Sequence, residues 1–92
     1  MASRVGRRVC VHGRVQGVFF RQWTLGQARA LGVSGWVRNC ADGSVEAHVV
    51  GDEQSVATMI DRMRRGPSQA RVDDITTQEI DADAPEGFSV LV

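Results

Sequence analysis

Between residues 13 and 21 the chain reads Gly13-Arg14-Val15-Gln16-Gly17-Val18-Phe19-Phe20-Arg21. Two glycines within five residues let the backbone approach a ligand closely and take a positive φ where needed. A segment of this kind between a strand and a helix can turn successive N–H groups inward as a nest for an oxyanion, and the helix start adds its positive dipole end. Arg21 offers a planar fork of donors to a phosphate or carboxylate. Asn39 is the second residue of interest, closing Gly35-Trp36-Val37-Arg38-Asn39 ahead of a turn at Asp42-Gly43. Its amide can accept from a water and donate to an oxyanion. An asparagine at that place is equally suited to closing a turn.

These groups need a frame. Arg7 to Val15 alternates, with Val9, Val11, Gly13 and Val15 on one side and Arg8, Cys10, His12 and Arg14 on the other. That predicts a strand with one buried face. A helix is expected from Phe20 or Arg21 to Leu31, with Phe20, Thr24, Ala28 and Leu31 inward, Leu25 at the margin and Trp23 outside. Gly32 ends it, with Val33 as the apolar contact after the cap. A second strand, Val33 to Asn39, and a third, Ser44 to Val50, form a hairpin about Asp42-Gly43. In the third, Val45, Ala47 and Val49 face inward while Glu46 and His48 face outward. Asp52 is suited to cap a second helix, whose stripe is Val56, Met59, Ile60 and Met63 and whose stop is Gly66-Pro67. A fourth strand runs from Val72 to Ile80 with a bulge near Asp73-Asp74, where the alternation breaks. After the acidic turn Asp81 to Glu86, Phe88, Val90 and Val92 alternate in a short edge strand.

The order β-α-β-β-α-β plus one strand, with right-handed crossovers, predicts an α+β sandwich: an antiparallel sheet with two helices on one face. The strand order 4-1-3-2, plus the short edge strand, is taken by analogy with ferredoxin-like folds. The first two strands then run parallel, so the ends holding Val15 and Asn39 share one rim of the sheet.

Composition narrows the class. The 92 residues make a single domain, 1–92, with no apolar stretch long enough to span a bilayer. The start, Met1-Ala2-Ser3-Arg4, leads into arginines and lacks a secretory apolar region, so a soluble cytoplasmic protein with no membrane partner is expected. Eleven arginines balance eleven acids, which argues against nucleic-acid binding driven by bulk charge. The balance is uneven along the chain: seven arginines against two acids in residues 1–46, four against nine in 47–92. The anion segment lies in the basic half. Cys10 and Cys40 are expected as free thiols, since two ladder spacings of about 4.8 Å exceed the ~7 Å Cα limit for a bridge.

With GRVQGVFFR followed by GWVRN, DGSVEA and Gly66-Pro67-Ser68, the chain resembles the acylphosphatase family over most of its length, from about Arg8 to Val92. The resemblance implies a ferredoxin-like sandwich and hydrolysis of the carboxyl–phosphate bond of acyl phosphates without metal or cofactor. It places phosphate binding on Arg21, orientation of the attacking water on Asn39, and a main-chain cradle on Val15, Gln16, Gly17, Val18, Phe19 and Phe20. Cys40 follows Asn39 where many relatives carry Thr or another polar residue. The implied partner is a small acyl phosphate, and a monomer is expected because nothing in the sequence demands a second chain.

A carboxylate leaving group needs little proton donation, so positioning and charge neutralisation are the tasks left to such a site. An amide is no base at neutral pH, so the water's proton is expected to end on a phosphoryl oxygen. Three other chemistries compete. Cys10, His12 and His48 could share a face as metal ligands, although no close-spaced ligand motif supports them. A cysteine nucleophile is disfavoured because neither thiol lies inside the glycine segment. RNA stacking on the open face would have only Trp36 to use. Ser44 reads as a turn residue, and Phe19, Phe20 and Trp23 are candidates for an acyl pocket.

Overall fold

The computed structural model describes residues 3–91. Its elements are β1 (Arg4–Arg14), α1 (Phe20–Leu31), β2 (Ser34–Asn39), β3 (Val45–Asp52), α2 (Glu53–Arg65), β4 (Arg71–Ile80) and β5 (Phe88–Val90). The strands form one sheet in the order β4-β1-β3-β2-β5. Val92, the last of the alternating residues expected in the final strand, lies outside the described residues, as do Met1 and Ala2.

The sheet is mixed, which corrects the expectation of an antiparallel one: β5 pairs parallel to β2, Gly35 opposite Phe88 and Val37 opposite Val90. The direction follows from where the chain arrives. β1 pairs antiparallel with both β3 and β4, and β2 antiparallel with β3. The end of β4 therefore shares a rim with the start of β2. A segment entering the sheet from that rim beside β2 can only run parallel to it.

Both helices cover one face, through a core that includes Val9, Val11, Val37, Val45, Ala47 and Val49 from the strands and Phe20, Ala28, Val56, Met59 and Met63 from the helices. Helix α1 ends in a Schellman motif, with Gly32 N–H donating to Arg29 O (3.3 Å) and Val33 N–H to Ala28 O (3.1 Å). Helix α2 is capped by Asp52, whose carboxylate accepts from Ser55 N–H at 3.3 Å. Trp23, expected outside, is half-buried and sits 5.6 Å from the Phe20 ring, centroid to centroid. The bulge is where the broken alternation predicted it: His12 opposes Asp74 and Gly13 opposes Val72, so Asp73 is the unpaired residue.

The face turned away from the helices carries Arg8, Cys10 and His12 on β1, Glu46 and His48 on β3, and Trp36 and Arg38 on β2. Cys10 and Cys40 are free thiols. Among the described residues no helix is long and apolar enough to cross a membrane.

Candidate active site

Because β1 and β2 run the same way on either side of β3, both deliver their C-terminal ends to one rim. In register, Val45 faces Val11 on one side and Asn39 on the other, so Asn39 stands two ladder spacings, about 9–10 Å, from β1. From β1 the chain turns through residues 15–19 into the first turn of α1. Val15 and Val18 are buried and anchor this turn in the core.

Two residues of the turn are left-handed: Gly17 at φ 74° and Phe19 at φ 63°. Glycine takes that conformation freely, whereas for Phe19 it costs on the order of 1–2 kcal/mol. Left-handed residues spaced this closely, leading into a right-handed helix, supply the alternation that turns successive N–H groups to one side. None of the N–H groups of residues 16–20 donates to a backbone acceptor among the described residues. The first such bond in the run is Trp23 N–H to Phe19 O, at 2.9 Å. Phe19 is the N-cap residue of α1 and provides no side-chain cap, so the helix start also keeps its donors unspent.

A cleft of about 560 Å³ opens at this rim, lined by Val15, Gly17, Phe19, Phe20, Arg21, Gln22, Asn39 and Val90. Among the described residues of the lining, Arg21 alone is charged. It is half-buried, and its Nη1 donates to Leu91 O at 3.5 Å, the limit of a hydrogen bond. Asn39 Oδ1 is buried and has no donor among the described residues. In a protein interior that is rare enough to need a reason.

Six of the eight residues expected to build the site therefore line one cleft. The side chains of Gln16 and Val18 do not. Val18 packs into the core, and Gln16 reaches the turn after β2, where Nε2 donates to Cys40 O (2.8 Å) and Ser44 O (2.9 Å). Two lining residues were missed. Gln22 follows Arg21 on the first helical turn and had no motif of its own. Val90 arrives because β5 lies beside β2, which only the parallel pairing decides. Among the described residues no three His, Cys, Asp or Glu side chains stand close enough to share a metal ion, so Cys10, His12 and His48 do not form a ligand set.

Fold and cleft together define a small α+β sandwich that offers an anion one positive charge, a run of main-chain donors and a carboxamide at the rim of its sheet. The Acylphosphatase family profile matches residues 7–90. An acylphosphatase of Rhizorhabdus wittichii is 50% identical over 87 residues, covering 95% of this chain and 88% of that protein. Another, of Nitrobacter winogradskyi, is 56% identical over 80 residues, 87% of this chain and 81% of its own. The crystal structure of acylphosphatase from Bacillus subtilis superposes with a TM-score of 0.92 at 31% identity, covering 96% of this chain and 99% of that one. The chain belongs to the acylphosphatase family.

Proposed function

We propose that the protein hydrolyses the carboxyl–phosphate bond of acyl phosphates, releasing carboxylate and inorganic phosphate. The phosphoryl group is held by Arg21 and the N–H groups of residues 15–20, which form the phosphate-binding loop, and a water held by Asn39 attacks in line with the departing carboxylate. The observation that supports this reading best is the company Asn39 keeps. Among the described residues, a buried carboxamide oxygen without a donor lines the same cleft as the one cation there and a run of unspent N–H groups.

Each group has a task that matches its chemistry. Asn39 Oδ1 accepts a hydrogen bond from the water and fixes where its lone pair points. Arg21 and the N–H groups face the phosphoryl oxygens, on which charge is spread in the transition state. The carboxylate leaves unaided. No histidine lines the cleft, so the water's proton passes to a phosphoryl oxygen and the rate should show no steep limb near pH 6–7 that a His12 or His48 substitution removes.

The same reading makes the protein a cytoplasmic monomer acting on small acyl phosphates. Its balanced charge, and an uncovered sheet face on which Trp36 is the sole aromatic other than histidine, speak against an RNA partner. Turnover of acetyl phosphate should be measured against p-nitrophenyl phosphate, each with and without EDTA. Rapid, chelator-insensitive release of phosphate from acetyl phosphate alone is expected. Equal turnover of the monoester, or loss of activity in EDTA, would sink the assignment.

A further inference from the structure

Gln16 belongs to the loop but not to the cleft. Its neighbours Val15 and Gly17 line the cavity, while its own half-buried side chain ends inside the turn of residues 40–44. There Nε2 donates to Cys40 O and Ser44 O, at 2.8 and 2.9 Å. Two carbonyls can only accept, so chemistry fixes which end of the amide faces them.

Neither carbonyl depends on Gln16. Cys40 O already accepts from Gly43 N–H (3.1 Å), and Ser44 O from Cys40 N–H (2.8 Å). Asp42 further closes the turn through bonds to Ser44 N–H (2.9 Å) and Ser44 Oγ (2.6 Å). The turn is complete without the glutamine, so the two extra bonds serve attachment rather than satisfaction. What they attach is specific. Cys40 is the residue after Asn39, and Ser44 precedes Val45, the cross-strand partner of Asn39. The bonds therefore bracket Asn39 and tie its position to the loop that ends at Arg21.

We propose that Gln16 is a positioning residue: its side-chain amide holds the Asn39 turn at a fixed distance from the phosphoryl loop, so that the water and the phosphorus meet in line. This rests on the reading of Asn39 given above. Loss of the link leaves Arg21 and the loop donors together on one wall, so phosphate affinity is kept while attack is misaligned. A misplacement of about 1 Å can cost on the order of 10²-fold in rate.

The test compares the parent with Gln16→Met, Gln16→Glu, Asn39→Ala and the Gln16→Met/Asn39→Ala double variant. Readouts are kcat and KM for acetyl phosphate, inhibition by inorganic phosphate, and the thermal midpoint. Gln16→Met keeps the length of the side chain and removes the carboxamide, and with it both bonds to the turn. It should lower kcat by about 10–50-fold, with KM and the phosphate inhibition constant within about twofold. Gln16→Glu sets a carboxylate against two carbonyls and should lose more; if it fails to fold, Gln16→Met carries the test alone. In the Asn39→Ala background the methionine should cost less than about threefold, because the group it aligned is gone. Equal losses in both backgrounds would overturn the proposal, as would a phosphate inhibition constant rising in step with the fall in kcat, or parental turnover by Gln16→Met. Parental kcat in Asn39→Ala alone would remove the reading beneath it, and that is seen before any glutamine variant is considered.

Discussion

On the uncovered face of the sheet, Glu46 accepts from Arg8 Nε and from Arg38 through Nε (2.9 Å) and Nη2 (2.6 Å), with His48 Nε2 at 3.6 Å. Trp36 stacks on His48 with ring centroids 4.0 Å apart, and the Arg38 guanidinium lies 5.5 Å from the Trp36 ring. At the rim, one strand-end away, Arg21 has a single bond at the distance limit and Asn39 Oδ1 has none among the described residues. Both regions gather polar groups about β2 and its neighbours, yet one pairs its buried carboxylate with two arginines and the other leaves Asn39 Oδ1 without a donor among the described residues. The closed cluster strengthens the pairing of β1, β3 and β2. The open one carries buried polarity and a left-handed Phe19, and gains nothing from either until a ligand supplies the missing partners. On the function proposed above, activity is stored in what the chain leaves unsatisfied.

That contrast is testable first at its most exposed point. Arg21→Ala should lower kcat/KM for acetyl phosphate by at least about 10³-fold, since it removes the one cation among the described residues that line the cleft. Its thermal midpoint should stay close to the parent's, because among the described residues the side chain makes one weak bond. Arg21→Lys keeps the charge and loses the fork, so kcat and KM should both suffer. A variant that lost activity only by unfolding would erase the distinction between the two regions. Next in size is Asn39→Ala, expected to cost about 10²–10³ in kcat with KM nearly kept. Because it deletes a buried acceptor that has no partner among the described residues, its stability in urea unfolding should lie between that of the parent and a gain of about 1 kcal/mol.

The closed cluster should behave in the opposite way. Burial alone would raise the Glu46 carboxyl, but the hydrogen bonds and charges of Arg8 and Arg38 outweigh it and hold the group below the ordinary glutamate range. Glu46→Gln should therefore cost about 1–3 kcal/mol of stability near pH 7, discounted because Arg8 and Arg38 are themselves about half exposed and can return to water. Its kcat should remain within about threefold of the parent's, since Glu46 does not line the cleft. The sign with pH follows from the lowered folded value. The stabilisation is fully present above the unfolded glutamate pKa of about 4.3 and is lost as pH falls through the folded value below it. Asp42, lowered by its bonds from Ser44, loses its contribution in the same direction. Urea titrations of parent and Glu46→Gln should converge as the pH is taken down through that range. A gap that widened on acidification would reverse the assignment of Glu46 as the ionised partner.

The sequence made the site more legible than the way the site is held. Glycine spacing, the helical stripe and an asparagine before a turn are local signals, and local backbone chemistry decided them: the helix begins at Phe20 and the second strand ends at Asn39. The break in alternation likewise placed a bulge near Asp73-Asp74, and the register shift falls there, at Asp73. The direction of β5 was not readable, because three residues carry no signal about which edge they reach; the path of residues 81–87 across the rim decides it. Glu46 was read as outward, and it is, yet two long arginine side chains from neighbouring strands cover it to 3% exposure. Period-two patterning reports a face and says nothing of what lies over it. The reach of Gln16 to residues 24 and 28 positions away is a tertiary contact with no local trace.

The smallest effect probes the boundary between withheld groups and mere strain. Phe19 is 78% exposed at the mouth of the cleft and lies at φ 63°, so in the free protein its ring buries little apolar area to offset the left-handed backbone. Phe19→Asn puts a residue that tolerates this conformation in its place and should raise stability by about 0.5–1 kcal/mol. The loop shape, and with it the N–H donors, should persist, so acetyl phosphate turnover should change by less than about threefold. Benzoyl phosphate tests the ring itself. If the aromatic side chain packs against the acyl group, its loss should raise KM for benzoyl phosphate by about 2–10-fold more than for acetyl phosphate, the range a single ring–ring contact supplies. Equal changes for both substrates would assign Phe19 to the geometry of the loop alone, and its strain would then belong wholly to the phosphoryl end of the cleft.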